Sequence, residues 1–455
     1  MLEIKDISPR VIEMQYAVRG PLVAKAAEME KAGTKILKCN IGNPQDLGQK
    51  PLSYIRQTLA LVTSPDLIEA DSKAADGTSI IPDDLKKRAA EIISVTKTVG
   101  RYTESLGLEY VRKQVAAFIA ARDGIPVDPA YIMLTDGASP GVKNALQAII
   151  ASEHTGIMIP VPRYPLYSAT ITALGGQAVG YYLDEERNWS TDIAEMERAY
   201  AEATEKGIEV KALVIINPGN PTGAVLSKET IIETIKFAEQ HNLTILADEV
   251  YQTNIFGGNT FHSFAKYVHE LGASDVSLIS FHSGSKAVGE CGLRMGYMEM
   301  RNIPRDVYDQ LVKIQSVSLC SNHIGQIATG LMVTPPKPGD ASFATYDREY
   351  REMQADLEAK GGLMYDGLNA IPHMKCAQIQ GAMYAFPSIF LPAGKTDADY
   401  CQKLLEETGI LFVPGSGFGQ KPGTNHFRTT LLPPREEIEA MLEKLSSFHI
   451  KYTAA

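Results

Sequence analysis

Short apolar runs alternate with amphipathic segments over about residues 100–320. Segments with helical periodicity, such as PGVKNALQAII, PLYSATITALG and KETIIETIKFAEQHN, separate several of these runs. The candidate strands are YIML (131–134), GIMIPV (156–161), AVGYYL (178–183), ALVII (212–216), TILA (244–247), VSLIS (276–280) and MGYMEM (295–300). Repeated strand, helix, strand order predicts an α/β fold with a mostly parallel seven-stranded sheet covered on both faces.

The pattern changes after about residue 325. A proline-rich joint, TPPKPGD, precedes a long charged helix that leads into predicted strands AMYAFPSIFL and ILFVP. The last forty residues add HFRTTLL and a closing helix. The first seventy or so residues are typical of a helical arm and loop. We therefore predict an N-terminal arm with part of a small domain at 1–75, a large domain at 76–325 and a smaller α+β domain at 326–455.

Composition narrows the class of protein. The 455 residues carry a formal net charge of −10, which argues against a nucleic-acid partner because such a partner needs a basic face. The five cysteines are scattered without a C-x-x-C pair, which favours reduced thiols over disulfides or a metal site. The chain begins without a signal-peptide pattern and has no apolar run of membrane-spanning length, so we predict a soluble cytoplasmic protein.

Ligands of such a sheet bind beyond the carboxyl ends of its strands, where the loops collect. In TDGASPGVKNAL, a helix is predicted to begin at Gly137, Ala138 and Ser139. Backbone N–H groups at a helix N-terminus can bind a phosphate dianion, and glycine permits close approach. The alternative is that this turn only caps its helix.

Two further strand ends carry residues suited to a flat heterocycle. Tyr164 in VPRYPLY can stack on such a ring. Asn220 in INPGNPTG can donate an amide hydrogen to a phenolate oxygen without titrating. The alternatives are a tyrosine packed under a loop and an ordinary proline-glycine turn.

The predicted strand TILA ends in DEVYQ, with Asp248 and Tyr251. A carboxylate at the end of a buried strand is costly unless it meets a cation or a donor. If Asp248 faces a pyridine nitrogen, it keeps that nitrogen protonated, and Tyr251 can share the phenolic oxygen with Asn220. The alternative is that Asp248 caps a helix.

The segment SFHSGSKAVGECGLRMGY places Lys286 among small residues at the end of a buried strand. A lysine amine forms a Schiff base with an aldehyde once its pKa is lowered. Ser283 and Arg294, on either side, can bind the phosphate that the Gly137 loop begins to hold, because guanidinium pairs with two phosphate oxygens at once. The loops together predict a site for a phosphorylated aromatic aldehyde.

With these residues in place, the sequence resembles the fold-type I pyridoxal-phosphate aminotransferases of class I and II, and within them most closely the alanine aminotransferases. The ordered blocks that carry the resemblance are YAVRGP, NIGNPQDLGQ, PLYSAT, YYLDEER, INPGNPTG, ADEVYQ, SFHSGSK, GECG, LLEETGI, VPGSGFGQ and HFR. The resemblance implies pyridoxal 5'-phosphate (PLP) in the large domain. It also implies a homodimer with active sites at the subunit interface, and ping-pong transfer of an amino group between L-alanine, or a similar amino acid, and a 2-oxo acid such as 2-oxoglutarate.

The resemblance also implies a role for each site residue. Lys286 would bond the cofactor aldehyde and act as the base. The other cofactor-binding positions would be Asp248 at the pyridine nitrogen, Asn220 and Tyr251 at the phenolic oxygen, Tyr164 against the ring, and Gly137, Ala138, Ser139, Ser283 and Arg294 at the phosphate.

Three more positions relate to the substrate and the partner subunit. Arg428 in HFRTTLL would bind the substrate α-carboxylate, beside Asn220, and Gly42 of NIG would line that carboxylate site. Tyr102 in RYTESLGLEYVR would reach the phosphate of the neighbouring subunit.

One position departs from the family pattern and leaves alternatives open. Ser318 in SVSLCSN stands where the animal alanine aminotransferases have an arginine. The amino-group partner could therefore differ, as in a glutamate:glyoxylate pair. A PLP-dependent lyase on the same scaffold is a second alternative, since the fold does not choose the reaction. A third, a ligand sensor fused to a DNA-binding module, is disfavoured because no basic helix-turn-helix precedes the large domain.

Overall fold

The structure is a computed structural model, and it describes residues 2–454 except 17, 19 and 73–78. The domain boundary expected between residues 75 and 76 lies outside the described residues. None of the helices in the described ranges is both long enough and apolar enough to cross a membrane.

Helices cover most of the surface of the described chain. They are α1 (Pro9–Glu13), α2 (Pro21–Lys31), α3 (Ser53–Thr63), α4 (Asp66–Ser72), α5 (Asp83–Thr96), α6 (Glu109–Asp123), α7 (Ala138–Ile149), α8 (Pro165–Leu174), α9 (Ile193–Glu205), α10 (Lys228–Gln240), α11 (Phe264–Glu270), α12 (Gly284–Ala287), α13 (Arg305–Val317), α14 (His323–Val333), α15 (Phe343–Asn369), α16 (Asp397–Thr408) and α17 (Arg435–Ala454).

The strands form one large sheet and three small ones. They are β1 (Leu37–Lys38), β2 (Ile132–Thr135), β3 (Thr155–Val161), β4 (Gln177–Tyr182), β5 (Glu209–Ile216), β6 (Thr244–Asp248), β7 (Leu278–Ser283), β8 (Gly296–Arg301), β9 (Met374–Lys375), β10 (Tyr384–Ala385), β11 (Ser388–Ile389), β12 (Ile410–Leu411), β13 (Val413–Pro414) and β14 (Phe427–Thr430).

The large sheet has seven strands in the order β2-β8-β7-β6-β5-β3-β4. Only β8 runs against its neighbours, and the other pairings are parallel. The seven predicted strands and the mostly parallel sheet are therefore confirmed. Every residue of β3 and β7 is buried, as expected for strands with helices on both faces.

Successive residues of one strand serve two different cores. Ile157 of β3 packs in the core beneath α7 and α8, whereas its neighbour Met158 packs in the core beneath α9 and α10. This follows from the two-residue period of a strand. The continuous apolar runs of the sequence are the consequence of this two-sided burial.

The small sheets belong to a separate core between α15, α16 and α17. In the sheet β10-β14-β13, Tyr384 of β10 lies opposite Thr430 of β14. The N-terminal segment joins this region, because β1 pairs in parallel with β12. The contacts bring β10 and β14 to the edge of the large sheet where its parallel strands end.

Charged side chains are buried on the α6 side of the large sheet. Arg122 donates to the two carboxylate oxygens of Asp123 at 2.7 and 2.5 Å, and Arg301 Nη2 lies 2.5 Å from Glu299 Oε1. Glu249, directly after β6, is the third carboxyl group of this cluster. Three carboxyl groups facing two guanidinium groups balance in charge only if one carboxyl keeps its proton.

Burial raises the pKa of both Glu249 and Glu299, and we assign the proton to Glu249. Burial raises its pKa to about 8, and the charge of Arg122 offsets this only in part. Its Oε1 accepts a hydrogen bond from the backbone N–H of Phe264 at 2.9 Å. Burial lowers the pKa of the neighbouring His282 to about 3, so this imidazole is neutral.

We expect the proton on Glu249 to appear in the pH dependence of stability. The folded chain holds it up to about pH 8, whereas the unfolded carboxyl, with its ordinary pKa of 4.5, releases it earlier. This contribution to the free energy of unfolding is complete below about pH 4.5 and is lost as the pH rises towards about 8. Glu249→Gln removes it, so urea unfolding at a series of pH values should give a shallower fall of stability with pH.

The matched control is Glu239→Gln on the exposed end of α10, which should keep the slope of the unchanged chain. Equal slopes for Glu249→Gln and the unchanged chain would contradict a protonated Glu249.

Candidate active site

A cavity of about 500 Å³ lies where β5, β6 and β7 end and the small sheet β10-β14-β13 approaches them. Eleven of the thirteen residues predicted for the site line it: Gly42, Ala138, Ser139, Tyr164, Asn220, Asp248, Tyr251, Ser283, Lys286, Arg294 and Arg428. The folded chain therefore brings together residues that are separated by almost 400 positions in the sequence.

An anion cradle forms one end of the cavity. Gly137 precedes α7 with φ of +78°, and it has no side chain to cap the N–H groups of the first turn. A Cβ atom at this position would lie 2.6 Å from Arg294 Nη2, so only glycine lets the guanidinium lie across the turn. Ser139 and Ser283 open onto the same space. Helix N–H groups, hydroxyls and a guanidinium are the donors that a phosphate accepts.

The Arg294 guanidinium is fixed by backbone carbonyls rather than by a carboxylate. Its Nη2 donates to Asp136 O at 2.9 Å and its Nη1 to Cys291 O at 3.0 Å. Arg294 itself has φ of +51°, a left-handed conformation that is unusual for a residue other than glycine. The geometry leaves the positive charge available to an anion in the cradle.

Lys286 lies in the short helix α12, immediately after β7. Its Nζ donates to Gly42 O at 2.5 Å. The hydroxyl of Ser283, one turn earlier, donates to Met295 O at 2.9 Å, which fixes the start of α12. The amine is thus held at the centre of the cavity, between the anion cradle and Arg428.

Asp248 is the carboxylate of the cavity. Burial raises its pKa to about 6, although hydrogen bonds from Tyr167 and from the N–H of Val250 partly offset this. The Tyr167 hydroxyl donates to its Oδ2 at 2.9 Å. A buried carboxylate of raised pKa that faces a cavity is suited to a cationic partner, such as a protonated ring nitrogen.

Tyr164 and Tyr251 form the walls on either side. The Tyr164 hydroxyl is 2.8 Å from the hydroxyl of Tyr16. Tyr251 is fully buried and hydrogen bonds to Tyr384, with ring centroids 6.1 Å apart. Burial raises the pKa of Tyr164 and of Tyr251 well above the ordinary value, so both are hydrogen-bond donors at neutral pH.

Arg428 of β14 is the largest of the fully buried side chains of the described chain. Nη1 donates to Asn220 Oδ1 at 3.1 Å, and Nη2 donates to Asn40 O. Its Cζ lies 4.2 Å from the centroid of the Tyr384 ring and 4.7 Å from that of Phe418. Within the described ranges, it forms no ion pair and its Nε has no hydrogen-bond partner.

The charges that line the cavity do not balance. Lys286, Arg294 and Arg428 are cationic, and Asp248 is the only carboxylate among the described residues of the lining. A buried charge without a partner is costly, so the buried Arg428 favours an anionic ligand. The exposed Arg294 and the partly buried Lys286 add to the excess of positive charge. A phosphate at Arg294, a carboxylate at Arg428 and a protonated ring nitrogen at Asp248 satisfy these groups. The residues therefore fit pyridoxal phosphate together with an amino acid.

Two predicted residues lie outside the lining. Gly137 does not line the cavity, but its lack of a side chain leaves room for the Arg294 guanidinium, which does. Tyr102 is 75% exposed on the surface of this single chain, near Cys320, whose Sγ accepts from the N–H of Thr103 at 3.4 Å. Its predicted contact with a partner subunit remains a prediction.

The polar residues that line or support the cavity and that sequence reasoning missed include Tyr16, Asn43, Tyr167, Ser285 and Tyr384. Tyr167 lies in PLYSAT, three residues after Tyr164. Residues three apart lie on the same face of a helix, so this spacing could have indicated Tyr167. Tyr384 lies in an apolar run that resembles an ordinary strand, so no local signal marks it. No group of three or more potential metal ligands occurs in the described part of the chain.

The cavity at the strand ends of this α/β sheet combines a lysine, an anion cradle, a buried carboxylate and an arginine without a carboxylate partner. This combination defines a pyridoxal-phosphate-dependent enzyme. The model of the family "Aminotransferase class I and II" matches residues 69–445. The chain belongs to this family, and it is a transaminase that uses pyridoxal phosphate.

Relatives match over nearly the whole chain. Alanine aminotransferase 1 of Homo sapiens is 44% identical, covering 100% of this chain and 95% of the relative. Glutamate–glyoxylate aminotransferase 1 of Arabidopsis thaliana is 46% identical, covering 99% and 96%. The solved structure of an alanine aminotransferase from Pyrococcus furiosus superposes with a TM-score of 0.81 at 26% identity, covering 98% of this chain and 100% of that one.

Gly42 provides a test of this geometry. A Cβ atom at Gly42 would lie 2.1 Å from the Tyr384 hydroxyl and 3.2 Å from Lys286 Nζ, so alanine must displace both groups. We expect Gly42→Ala to lower kcat/KM by about 10²-fold, the scale for a misplacement of about 1 Å. Steady-state kinetics of transamination measures the effect.

The control is Gly292→Ala, on the exposed turn near the same cavity, because a Cβ atom there meets nothing within 4 Å. A Gly42→Ala chain with unchanged kcat/KM would show that Tyr384 and Lys286 are not confined as described.

Proposed function

We propose that the chain transfers the amino group between L-alanine and a 2-oxo acid such as 2-oxoglutarate by a ping-pong mechanism. The proposal of an α-amino acid substrate rests on Arg428. Its guanidinium is buried, lines the cavity and pairs with no carboxylate in the described ranges. A guanidinium fork pairs with a carboxylate through two parallel hydrogen bonds. The choice of alanine rests on the names of relatives that match the full length of the chain.

Each predicted residue has a part in this proposal. Bound pyridoxal phosphate supplies an electron sink that makes the α-proton of an amino acid acidic. Arg294, Ser283, Ala138 and Ser139 bind the phosphate, with Gly137 permitting the close approach. Asp248 holds the ring nitrogen, Tyr164 stacks on the ring, and Asn220 and Tyr251 bind the phenolic oxygen.

Lys286 acts as the base. Its Nζ lies near Gly42, in the space between the anion cradle and the carboxylate site, where the α-carbon of a bound amino acid belongs. With the cofactor and an amino acid bound, the Lys286 amine would take the α-proton and hold it. Arg428 and Asn220 hold the α-carboxylate, and Gly42 lines this subsite. The first half-reaction releases one 2-oxo acid, and the second accepts another.

A glutamate:glyoxylate pair is the second candidate. Ser318, at the end of α13, replaces the arginine expected there, and its exposed side chain carries no charge for the second carboxylate of either glutamate or 2-oxoglutarate. It therefore leaves the donor and acceptor open. Glutamate–glyoxylate aminotransferase 1 of Arabidopsis thaliana is as similar to this chain as the alanine aminotransferases are. The identity of the donor therefore needs a direct measurement.

Half-reactions separate the two candidates. The purified, cofactor-loaded protein is mixed with L-alanine or with L-glutamate, each without a 2-oxo acid, and its visible absorption is recorded. We expect alanine to remove the yellow band within one turnover and pyruvate to restore it. Response to glutamate and glyoxylate but not to alanine would favour the second candidate. Ammonia release without an acceptor would contradict transamination and indicate a lyase.

The homodimer is also part of the proposal, with Tyr102 contributed to the partner's phosphate site. Tyr102 is exposed, and its neighbour Thr103 contacts Cys320, which follows the exposed apolar residues Val317 (84%) and Leu319 (52%) in the chain. Exposed apolar side chains favour an interface when they are contiguous. We retain the division into an arm (1–75), a large domain (76–325) and a small domain (326–455), and a cytoplasmic location. Relatives in Dictyostelium discoideum and Arabidopsis thaliana are named mitochondrial.

Mixed dimers test the contribution of Tyr102. Lys286→Ala removes the base, and we expect it to lower turnover by about 10³-fold or more. Tyr102→Ala weakens the phosphate site of the partner. When the two inactive variants are unfolded and refolded together, one site of each mixed dimer combines an intact Lys286 with an intact Tyr102. Activity should reappear in the mixture.

Mixing Lys286→Ala with Asp248→Ala is the control, because both residues belong to the same chain's site. In that mixture, one site of each mixed dimer lacks Lys286 and the other lacks Asp248, so activity should not return. Failure of the Tyr102→Ala mixture to regain activity would contradict the contribution across an interface.

A further inference from the structure

Tyr384 of β10 is buried, and it lines the cavity. The family resemblance assigns it no role. Its hydroxyl occupies the space that a Cβ atom added to Gly42 would need. Lys286 Nζ lies 3.2 Å from the position of that added Cβ atom. The phenolic oxygen and the amine are thus close enough for a small side-chain rotation or one bridging water to join them.

Positive charge surrounds the Tyr384 side chain. The Arg428 guanidinium stacks on its ring, and the Lys286 amine lies near its hydroxyl. The remaining titratable groups that face it are Tyr251, which hydrogen bonds to it, Tyr164 and the Cys291 thiol. Asp248, the carboxylate of the cavity, is hydrogen-bonded to Tyr167 instead.

The electrostatic consequence is specific to this tyrosine. Burial alone would raise the pKa of Tyr384, but the charges of Lys286 and Arg428 and the hydrogen bond with Tyr251 outweigh burial, so its pKa lies below 10. The pKa values of Tyr164, Tyr167 and Tyr251 move in the opposite direction. Tyr384 is therefore the tyrosine of the cavity that loses its proton first.

We propose that Tyr384 is the proton partner of Lys286 in the transamination, exchanging one proton with the lysine amine. The step is balanced: the phenolate oxygen forms an O–H bond with a proton of the Lys286 ammonium, and the N–H electron pair remains on nitrogen. The products are a neutral phenol and a free amine. An ammonium cannot act as a base, so the exchange returns Lys286 to the form that takes the α-proton.

Tyr384 acts through Lys286 and is therefore a positioning residue with a proton-holding role. The inference rests on the proposed function, since it assigns Lys286 the part of the base. It adds that the positive charge of Lys286 lowers the pKa of Tyr384. Replacement of Lys286 by a neutral residue should therefore raise the pKa of Tyr384.

Tyr384→Phe is the decisive variant because it removes only the hydroxyl. The ring that packs against Arg428 is retained, so the variant loses only the hydroxyl and its hydrogen bond with Tyr251. The matched control is Tyr181→Phe, a buried tyrosine of β4 whose hydroxyl donates to Val214 O at 2.8 Å, away from the residues that line the cavity.

The first measurement is the ultraviolet absorbance of tyrosinate in the full-length, cofactor-free protein as the pH is raised. Among the 20 tyrosines, we expect one to ionise before the ordinary range of about 10. This early signal should disappear in Tyr384→Phe and persist in Tyr181→Phe. In Lys286→Met it should move to higher pH, because the neighbouring positive charge is lost. An early signal that persists in Tyr384→Phe would overturn the proposal.

The second measurement is the pH profile of the half-reaction rate in the cofactor-loaded protein. We expect Tyr384→Phe to lower the rate constant by about 10²-fold and to move one limb of the profile, with little change in the saturating amino acid concentration. Tyr181→Phe should leave both unchanged. A Tyr384→Phe profile that is lower but has the same shape would overturn a proton role and leave only packing.

These outcomes separate the two proposals. If the early tyrosinate depends on Tyr384 and Lys286 but no amino donor reacts, the pair stands and the proposed substrates fail. If alanine reacts normally in Tyr384→Phe with an unchanged pH profile, the proposed function stands and the role of Tyr384 fails.

Discussion

Buried positive charge without an internal carboxylate partner is the constraint on which the cavity depends. Arg428 is held by the Asn220 side chain, the Asn40 carbonyl and two aromatic rings, none of which neutralises it. Arg294, which is exposed, is also held by carbonyl groups rather than by a carboxylate. The chain tolerates the buried charge of Arg428 because the rest of the fold fixes its position, and an anionic ligand recovers part of its cost of desolvation. Binding and specificity therefore have the same physical origin.

The fold meets this constraint by ending parallel strands at one edge and closing that edge with a distant part of the chain. Asp248 and Ser283 end β6 and β7, and Lys286 follows Ser283 by less than one turn of helix. Arg428 comes from β14, which the pairing of β10, β14 and β13 places above that edge. Rigid elements thus position the amine and the guanidinium, as accurate positioning of a substrate requires.

The large sheet and nine of the lining residues could be predicted because both have local signals: continuous apolar runs, and small or polar residues after them. Gly42 and Arg428 were predicted only through the family resemblance. Tyr384 had no such signal. It lies in a two-residue strand, and its surroundings come from Gly42, Lys286 and Arg428, which are distant in sequence. Pairings of this kind are products of the tertiary fold. Tyr102 shows the opposite case, since its motif is recognisable but its predicted partner belongs to another chain.

The two-residue period of a strand also connects the cavity with the buried charged cluster behind it. Asp248 faces Tyr167 and the cavity, whereas Glu249, the next residue, faces Arg122 and α11. Ser283 and His282 divide in the same way between the anion cradle and the cluster. A change of charge at Glu249 would therefore act on the backbone that positions Asp248. The neutral forms of Glu249 and His282 keep that backbone packed without a further buried charge that would need a partner.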